Sequence, residues 1–175
     1  MQGFLLARAR AAIAEALGLT CAPPPPRPDD PELAAKRGVF VTLRKAAELR
    51  GCMGCFRSDF PLSEAVCEMA ESSAFRDPRF APVAPDELAQ LKLSISVLSD
   101  LSPIASPQDL AVGRHGILVR KGARSGTYLP QVAREMGWTA EEMVRHCSEE
   151  KAGLGPEGWR DAELYVYTVE EFGES

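Results

Sequence analysis

The residues best suited to chemistry lie in segment 49–55, which reads LRGCMGC. Cys52 stands between Gly51 and Gly54, with Arg50 two residues upstream. A nearby cation favours the thiolate, which is the nucleophilic form of cysteine. Glycine within a strand is typical of a bulge or of a close approach by another group. The segment therefore predicts a reactive thiol, and its alternative is a small thiol buried in the core.

A second candidate lies where His115 stands in the turn Gly113-Arg114-His115-Gly116, ahead of an apolar strand. An imidazole beside a thiol can activate it for covalent chemistry. Both groups are flanked by glycines, which leave room for a ligand or another backbone. We therefore expect Cys52 and His115 to share one pocket.

Charged residues that could border this pocket are Arg50, Asp77 and Arg79. An arginine fork binds a carboxylate or phosphate group in a bidentate manner. Asp77 could orient an imidazole or an arginine. The sequence thus predicts a small anionic ligand at this place, while the alternative is that the three residues form a structural ion network.

The composition limits the class of protein. The chain has 175 residues, 45% apolar and 26% charged, which suits one substantial globular body. A net charge of −5 argues against nucleic acid as a partner. The chain has no apolar run long enough to span a bilayer and no secretory signal, so we expect a cytoplasmic protein without membrane contact.

Cysteine and histidine usage points to neither a disulfide scaffold nor a metal site. The five cysteines are an odd number, and there are only two histidines. Phosphate-loop and dinucleotide motifs are also absent. We accordingly expect no metal and no cofactor. Cys52 and Cys55 are three apart, so on a regular strand they point to opposite faces, which predicts two free thiols.

The hydrophobic pattern predicts a helix at 4–18, with Gly18 as its cap, and an extended proline-rich linker at 22–31. An α+β body follows over 38–172. Mixed strands and helices with at least two hairpins indicate a mixed, largely antiparallel sheet with flanking helices. The predicted elements of the body are strands 38–44 and 49–56, helix 61–75, a short helix 85–91, strands 91–97, 117–120 and 127–129, helices from 130 and over 139–152, and strand 162–169.

Seven segments, taken together, resemble the AMMECR1 domain family, in the order in which this family carries them. They cover nearly the whole chain, from Leu6 to Phe172, so that 1–175 is expected to be a single AMMECR1-like domain. The segments are Phe40-Val41-Thr42-Leu43, Leu49-Arg50-Gly51-Cys52-Met53-Gly54, Asp77-Pro78-Arg79-Phe80, Ser96-Val97-Leu98-Ser99, Gly113-Arg114-His115-Gly116, Leu129-Pro130-Gln131-Val132-Ala133 and Lys151-Ala152-Gly153-Leu154.

The resemblance implies a two-part α+β fold with a small subdomain. It also implies the company of a Memo-type protein and a radical SAM enzyme, because the family includes the members called AmmeMemoRadiSam system protein A. The family's LRGC-x-G motif maps onto segment 49–54, and its recurrent histidine maps onto His115. Cys55 departs from the family pattern, which argues against a CxxC redox pair.

Two functions follow as hypotheses. In the first, Cys52 is a nucleophile, His115 is a general base or orienting group, and an arginine binds an anionic group of the substrate. In the second, the chain is a non-catalytic accessory module that binds the Memo-type protein or the radical SAM enzyme. The family has no settled reaction, so the exposure of Cys52 becomes the discriminating observation.

Overall fold

The fold is given by a computed structural model that describes all residues, 1–175, and divides into two compact units. Unit 1 comprises residues 1–98 and 170–175, and unit 2 comprises residues 99–169. Unit 2 is therefore inserted into the chain of unit 1. Both units combine helices with a sheet, which confirms the predicted α+β class.

Four α-helices and eight strands make up the regular structure, with short 3₁₀ segments between some of them. In chain order they are α1 (Gln2–Ala16), β1 (Val39–Lys45), β2 (Glu48–Cys55), α2 (Leu62–Phe75), β3 (Leu91–Leu98), β4 (Ser102–Ile104), β5 (Gly116–Lys121), β6 (Arg124–Tyr128), α3 (Pro130–Met136), α4 (Ala140–His146), β7 (Glu163–Tyr167) and β8 (Val169–Gly173). None of the helices has the length and hydrophobicity that a membrane span requires.

The sheet of unit 1 has the strand order β2-β1-β3-β8. Strand β1 pairs in antiparallel fashion with β2 on one side and with β3 on the other. Alternate residues of β1 and β3 are buried, so one face of the sheet is apolar. This face forms the core of unit 1 with α1 and α2, through residues that include Leu5, Ile13, Val41, Leu43, Val66, Leu93 and Ile95.

The sheet of unit 2 has the order β4-β7-β5-β6, and its three strand pairs are antiparallel. Its core is separate from that of unit 1 and contains Ile117, Val119, Ala133, Met143, Val144, Cys147 and Leu164. Helix α4 continues into a π-helical turn over Cys147–Lys151. Each unit thus has its own sheet and its own core.

Most predicted elements are present, but the strands form two sheets instead of one. The hairpins β1–β2 and β5–β6 and helix α2 lie where the hydrophobic pattern placed them. Residues 22–30 contain no regular secondary structure, as expected for the proline-rich linker, and Pro31 begins a 3₁₀ turn. Strands β4 and β8 were not predicted, and both are edge strands of their sheets.

Candidate functional site

Cys52 lies on the face of the unit 1 sheet that is turned away from α1 and α2. It is directly opposite Thr42 of β1, and Thr42 alternates with the core residues Val41 and Leu43. The Thr42 hydroxyl donates a hydrogen bond to the Cys52 sulfur over 3.3 Å. The thiol residue is neither sealed in the core nor fully exposed. This fixed, partly accessible thiol contradicts the alternative of a buried core cysteine.

The backbone of Cys52 is held from the open edge of the sheet, because β2 is an edge strand. The Cys52 N–H donates to the Asp77 carboxylate over 2.9 Å, and Arg79 donates to the Cys52 carbonyl over 3.3 Å. Arg79 also binds Asp77 in a bidentate manner, at 2.9 and 2.7 Å. The loop after α2 therefore satisfies both outward backbone groups of Cys52.

The buried Asp77 carboxylate is stabilised in its charged form by these contacts. Its side chain is 2% exposed, whereas that of Arg79 is 55% exposed. Hydrogen bonds from Arg79 hold the pKa of Asp77 well below its ordinary value, against the opposing effect of burial. The pKa of Arg79 is raised, chiefly by its hydrogen bonds to Asp77, and its electrostatic interaction with Cys52 adds to this effect. A cation thus lies beside the thiol.

At the two glycines that flank Cys52, other parts of the protein occupy the space that a side chain would take. A Cβ on Gly51 would collide with the carbonyl oxygen of Ser73 in α2, and a Cβ on Gly54 would collide with the ring of Phe40. The predicted bulge is present, but it lies at Arg50, which is the extra residue of β2. The space at both glycines is therefore filled by side chain or backbone, and neither glycine leaves room for a ligand.

Arg50 is engaged in an ion network. It donates to both carboxylate oxygens of Glu87, at 3.1 and 2.8 Å, and to the Ala81 carbonyl at 2.9 Å. Hydrogen bonds from Arg50 and from the Ala84 N–H lower the pKa of Glu87 to about 2. The observed arrangement of Arg50 is therefore a structural ion network, which is the alternative that the sequence analysis left open.

His115 belongs to unit 2, in the turn ahead of β5, and is partly exposed. Its Nδ1 accepts a hydrogen bond from the Ala111 N–H over 3.1 Å. A neutral ring with an accepting Nδ1 carries its proton on Nε2. The glycine after it, Gly116, makes room for the ring of Tyr167. Cys52 and His115 thus lie in different units, and their pairing stays a prediction.

All five cysteines are free, which confirms the two free thiols predicted at Cys52 and Cys55. Cys55 is opposite Val39, a core residue, so it faces away from Cys52. Burial raises the pKa of the Cys55 thiol and raises that of Cys147 to about 12. These two thiols are therefore poor nucleophiles at neutral pH.

Sequence reasoning missed three hydroxyl residues that share a sheet face with Cys52, namely Thr42, Ser94 and Ser96. Thr42 is opposite both Cys52 and Ser94, and Ser96 is opposite Phe40. The alternation of polar and apolar residues along β3 was visible in the sequence. The pairing of β1 with β3, which brings these residues beside the thiol, was not.

Comparison with known proteins shows the family of the chain. The model of the AMMECR1 family matches residues 6–172. Protein MK0488 of Methanopyrus kandleri is 45% identical, over 85% of this chain and 76% of the relative. Protein PH0010 of Pyrococcus horikoshii is 41% identical, over 98% and 88% of the two chains. The crystal structure described as uncharacterized protein PH0010 superposes with a TM-score of 0.85 at 40% identity, covering 99% of this chain and 91% of that one. The chain therefore belongs to the AMMECR1 family.

Proposed function

We propose that Cys52 is the centre of a ligand-binding and catalytic site and that its thiol acts as the nucleophile. The observation that carries this proposal is the way the residue is held. Its N–H and carbonyl are bound by Asp77 and Arg79, its sulfur accepts a hydrogen bond from Thr42, and yet the residue is partly exposed. A group fixed in place and still accessible needs little reorganisation to react.

The neighbours of the thiol have distinct roles in this proposal. Thr42 orients the sulfur, and Arg79 supplies positive charge beside it. Asp77 is a positioning residue, because it acts on the thiol only through Arg79 and the backbone. The sequence suggested His115 as a general base or orienting group. Because its Nδ1 accepts from the Ala111 N–H and its Nε2 carries the proton in the neutral ring, we replace the role of base and assign His115 as a proton donor or orienting group.

Alkylation kinetics test the nucleophile. The experiment uses the full chain with Cys21→Ser, because Cys21 is exposed and would react without any site. Iodoacetamide is added at pH 7.5, and modification at each cysteine is followed by mass spectrometry. We expect Cys52 to react at least about tenfold faster than Cys55, Cys67 or Cys147, whose pKa values are raised by burial. Equal or slower modification of Cys52 would contradict the proposal.

The contribution of His115 has its own test with a matched control. His115→Gln removes the candidate imidazole, and His146→Gln removes the other histidine, whose Nδ1 is bound to Glu150 at 2.8 Å. If His115 serves Cys52, only the first substitution changes how the alkylation rate of Cys52 varies between pH 5.5 and 8. Identical pH profiles for both variants and the parent protein would remove His115 from the site.

The partners are a second part of the proposal. By resemblance to its family, we propose that the chain works in the cytoplasm with a Memo-type protein and a radical SAM enzyme. A pull-down from the native host, with the parent protein and with Cys52→Ser as bait, tests this and also the alternative of a non-catalytic module. Recovery of both partners by both baits supports the association. Loss of activity in the complex with Cys52→Ser supports catalysis, whereas full activity supports the accessory module.

A further inference from the structure

A cavity of about 410 Å³ in unit 1 is lined by two cysteines that the proposed site does not use. Cys21 lies between α1 and the proline-rich linker, and Cys67 lies on α2. Helix α1 contributes Ala11 and Ala12, whose side chains end at the Cβ atom, to the same cavity. Both helices pack on the face of the sheet that is opposite to Cys52. The two thiols therefore border one space that is separate from the Cys52 site.

The two thiols differ in exposure, and this difference sets the order in which they react. Cys21 is exposed, so an oxidant in solution can reach it. Cys67 is partly buried, and its S–H donates to the Ser63 carbonyl over 3.4 Å. Burial raises the pKa of Cys67, whereas the charge of Arg8 and a hydrogen bond from its side chain oppose this rise. Redox-sensing cysteines are typically accessible thiols with a second cysteine nearby that resolves them, which matches Cys21 and Cys67.

The chain around Cys21 is free to move towards Cys67. A disulfide needs Cα atoms about 4.4–6.8 Å apart. The lining of α1, from Arg8 to Glu15, extends over about 10 Å, so the cavity is longer than one disulfide. Residues 20–22 make no backbone hydrogen bond and have no regular secondary structure. This segment can therefore turn inward and carry Cys21 into the cavity without unfolding α1.

We propose that Cys21 and Cys67 are a reversible redox pair, which a low-molecular-weight disulfide such as glutathione disulfide converts into an intramolecular bond. The Cys21 thiolate attacks one sulfur of the oxidant, forms a mixed disulfide and releases one small thiolate. The Cys67 thiolate then attacks the Cys21 sulfur, forms the Cys21–Cys67 bond and releases the second small thiolate. The two protons lost by the cysteines protonate the two released thiolates. Two protein thiols are thus oxidised, and one small disulfide is reduced to two small thiols.

The bond would act on the proline-rich linker, because it ties the segment ahead of the prolines to α2 and closes the cavity. In the cytoplasm proposed above, disulfides are usually transient and respond to the redox state of the cell. A reversible pair is also compatible with the odd number of cysteines, which argued only against a permanent disulfide scaffold. The inference goes beyond the proposed function and does not depend on Cys52.

Equilibration of the full-length protein in a glutathione redox buffer at pH 7.5 tests the pair. The samples are quenched with acid, digested with trypsin and analysed by mass spectrometry. Trypsin leaves Cys21 in peptide 11–36 and Cys67 in peptide 58–76, and neither peptide contains another cysteine. With reduced glutathione at about 1 mM, we expect the linked peptides to exceed peptide 11–36 carrying glutathione by at least about tenfold, because the effective concentration of one thiol at the other is higher. Dithiothreitol should remove the link.

Single variants identify the role of each thiol. Cys67→Ser removes the resolving thiol, so glutathione should remain on Cys21. Cys21→Ser removes the exposed thiol and should leave Cys67 largely free. The matched control is Cys55→Ser, which removes another partly buried thiol of unit 1 and should change the yield of the link less than about twofold. Glutathione on Cys21 of the parent protein to the same extent as in Cys67→Ser, or a link from Cys21 to Cys55 in place of Cys67, overturns the proposal.

The same experiment in concentrated urea separates pairing by the fold from chance pairing. Cys52 and Cys55 are close in the sequence, and a short loop closes at a lower entropy cost than the loop between Cys21 and Cys67. In the unfolded chain, the Cys52–Cys55 link should therefore exceed the Cys21–Cys67 link by at least about tenfold. An equal yield of the Cys21–Cys67 link in urea and in buffer would show that the fold does not bring the pair together, and would overturn the proposal.

Discussion

Asp77 links the reactive strand to the loop that follows α2, and it does so through a single carboxylate. One oxygen accepts from the Cys52 N–H and from Arg79, and the other accepts from the Arg79 backbone and side chain. The structural network and the candidate site are therefore the same group of atoms. Asp77 therefore belongs both to a structural ion network and to the candidate site, which the sequence analysis had treated as alternatives.

We predict that Asp77 makes the protein sensitive to acid. Because its pKa is depressed in the folded state, its stabilisation is complete above the unfolded pKa of about 4 and is lost as the pH falls towards the folded pKa. Asp77→Asn should cost about 2 kcal/mol at pH 6 and less at pH 3, where part of the stabilisation has been lost. Urea unfolding at both pH values measures this.

The control for Asp77 is Asp29→Asn, since Asp29 is exposed and forms no ion pair. Its stability should follow that of the parent protein at both pH values. If Asp77→Asn lost the same free energy of unfolding at pH 3 as at pH 6, the carboxylate would not be the acid-sensitive group.

Arg44 of β1 and Lys92 of β3 lie directly opposite each other, which predicts that reversing one of these charges changes the stability of the protein. Arg44→Glu replaces one of two opposed positive charges with a partner for Lys92. We expect it to raise the free energy of unfolding by about 0.5 kcal/mol, as measured by urea unfolding. Arg27→Glu makes the same charge change elsewhere in unit 1 and should leave the free energy of unfolding nearly unchanged. A loss of stability in Arg44→Glu would contradict the repulsion.

At the scale of elements, the position of helix α2 depends on Gly51. The carbonyl of Ser73 fills the place of the missing side chain, and the Ser73 hydroxyl accepts from the Met53 N–H at 2.8 Å. Gly51→Ala should therefore destabilise the protein by about 1–3 kcal/mol, because α2 must move away from β2. Thermal unfolding measures the loss.

The matched control is Gly3→Ala in α1, where an added Cβ meets nothing within 4 Å. It should stabilise by up to about 1 kcal/mol, because alanine is the better helix former. If both substitutions changed the stability of the protein in the same direction, the close approach of α2 to β2 would not be what requires glycine at position 51.

Strong periodicity made the central elements predictable from the sequence. Strand β3 alternates between apolar and polar residues from Leu91 to Val97, and α2 has a continuous apolar stripe. Strand β4 is three residues long and contains Pro103, and β8 carries adjacent glutamates, so neither shows the pattern of a buried strand. Edge strands such as these are specified by their neighbours, and single-sequence patterns contain little of that information.

The site was only partly predictable from the sequence, because some of its contacts join residues that are far apart in the chain. The motif around Cys52 and the loop around Asp77 were both singled out from the sequence, but the hydrogen bonds of Asp77 and Arg79 to the Cys52 backbone were not predicted. The role of Arg50 could not be assigned, because Glu87 is 37 residues further along the chain and only the fold brings it near. Likewise, helix α4 was expected to continue to residue 152, whereas its last turn is π-helical and places Glu150 against His146.

At the scale of the whole molecule, the chain has two separate cores, and unit 2 is inserted into the chain of unit 1. The hydrophobic cluster of unit 1 and that of unit 2 share no residue. The chain enters unit 2 at Ser99 and leaves it near Thr168. The Ser99 N–H donates to the Thr168 carbonyl, and the Thr168 N–H donates to the Ser99 hydroxyl, both over 2.9 Å. The ends of the inserted unit are therefore neighbours.

This arrangement predicts that unit 1 folds without unit 2. Residue 98 can be joined to residue 170 by a short Gly-Ser-Gly linker, since β3 and β8 are neighbouring strands and Ser99 is hydrogen-bonded to Thr168. Residues opposite each other on adjacent strands are only about 5 Å apart. The shortened chain should give a dispersed ¹⁵N–¹H spectrum and a cooperative thermal transition. A collapsed spectrum would show that the first core depends on the second.

The shortened chain also isolates the thiol from the imidazole, because Cys52 lies in unit 1 and His115 in unit 2. Its Asp77–Arg79 clamp and its Thr42 hydrogen bond come from unit 1 alone and should survive. If His115 acts on Cys52, the pH profile of alkylation in the shortened chain should match that of full-length His115→Gln. If the shortened chain instead retains the profile of the parent protein, unit 1 contains everything that activates the thiol, and unit 2 must serve a step other than the nucleophilic one.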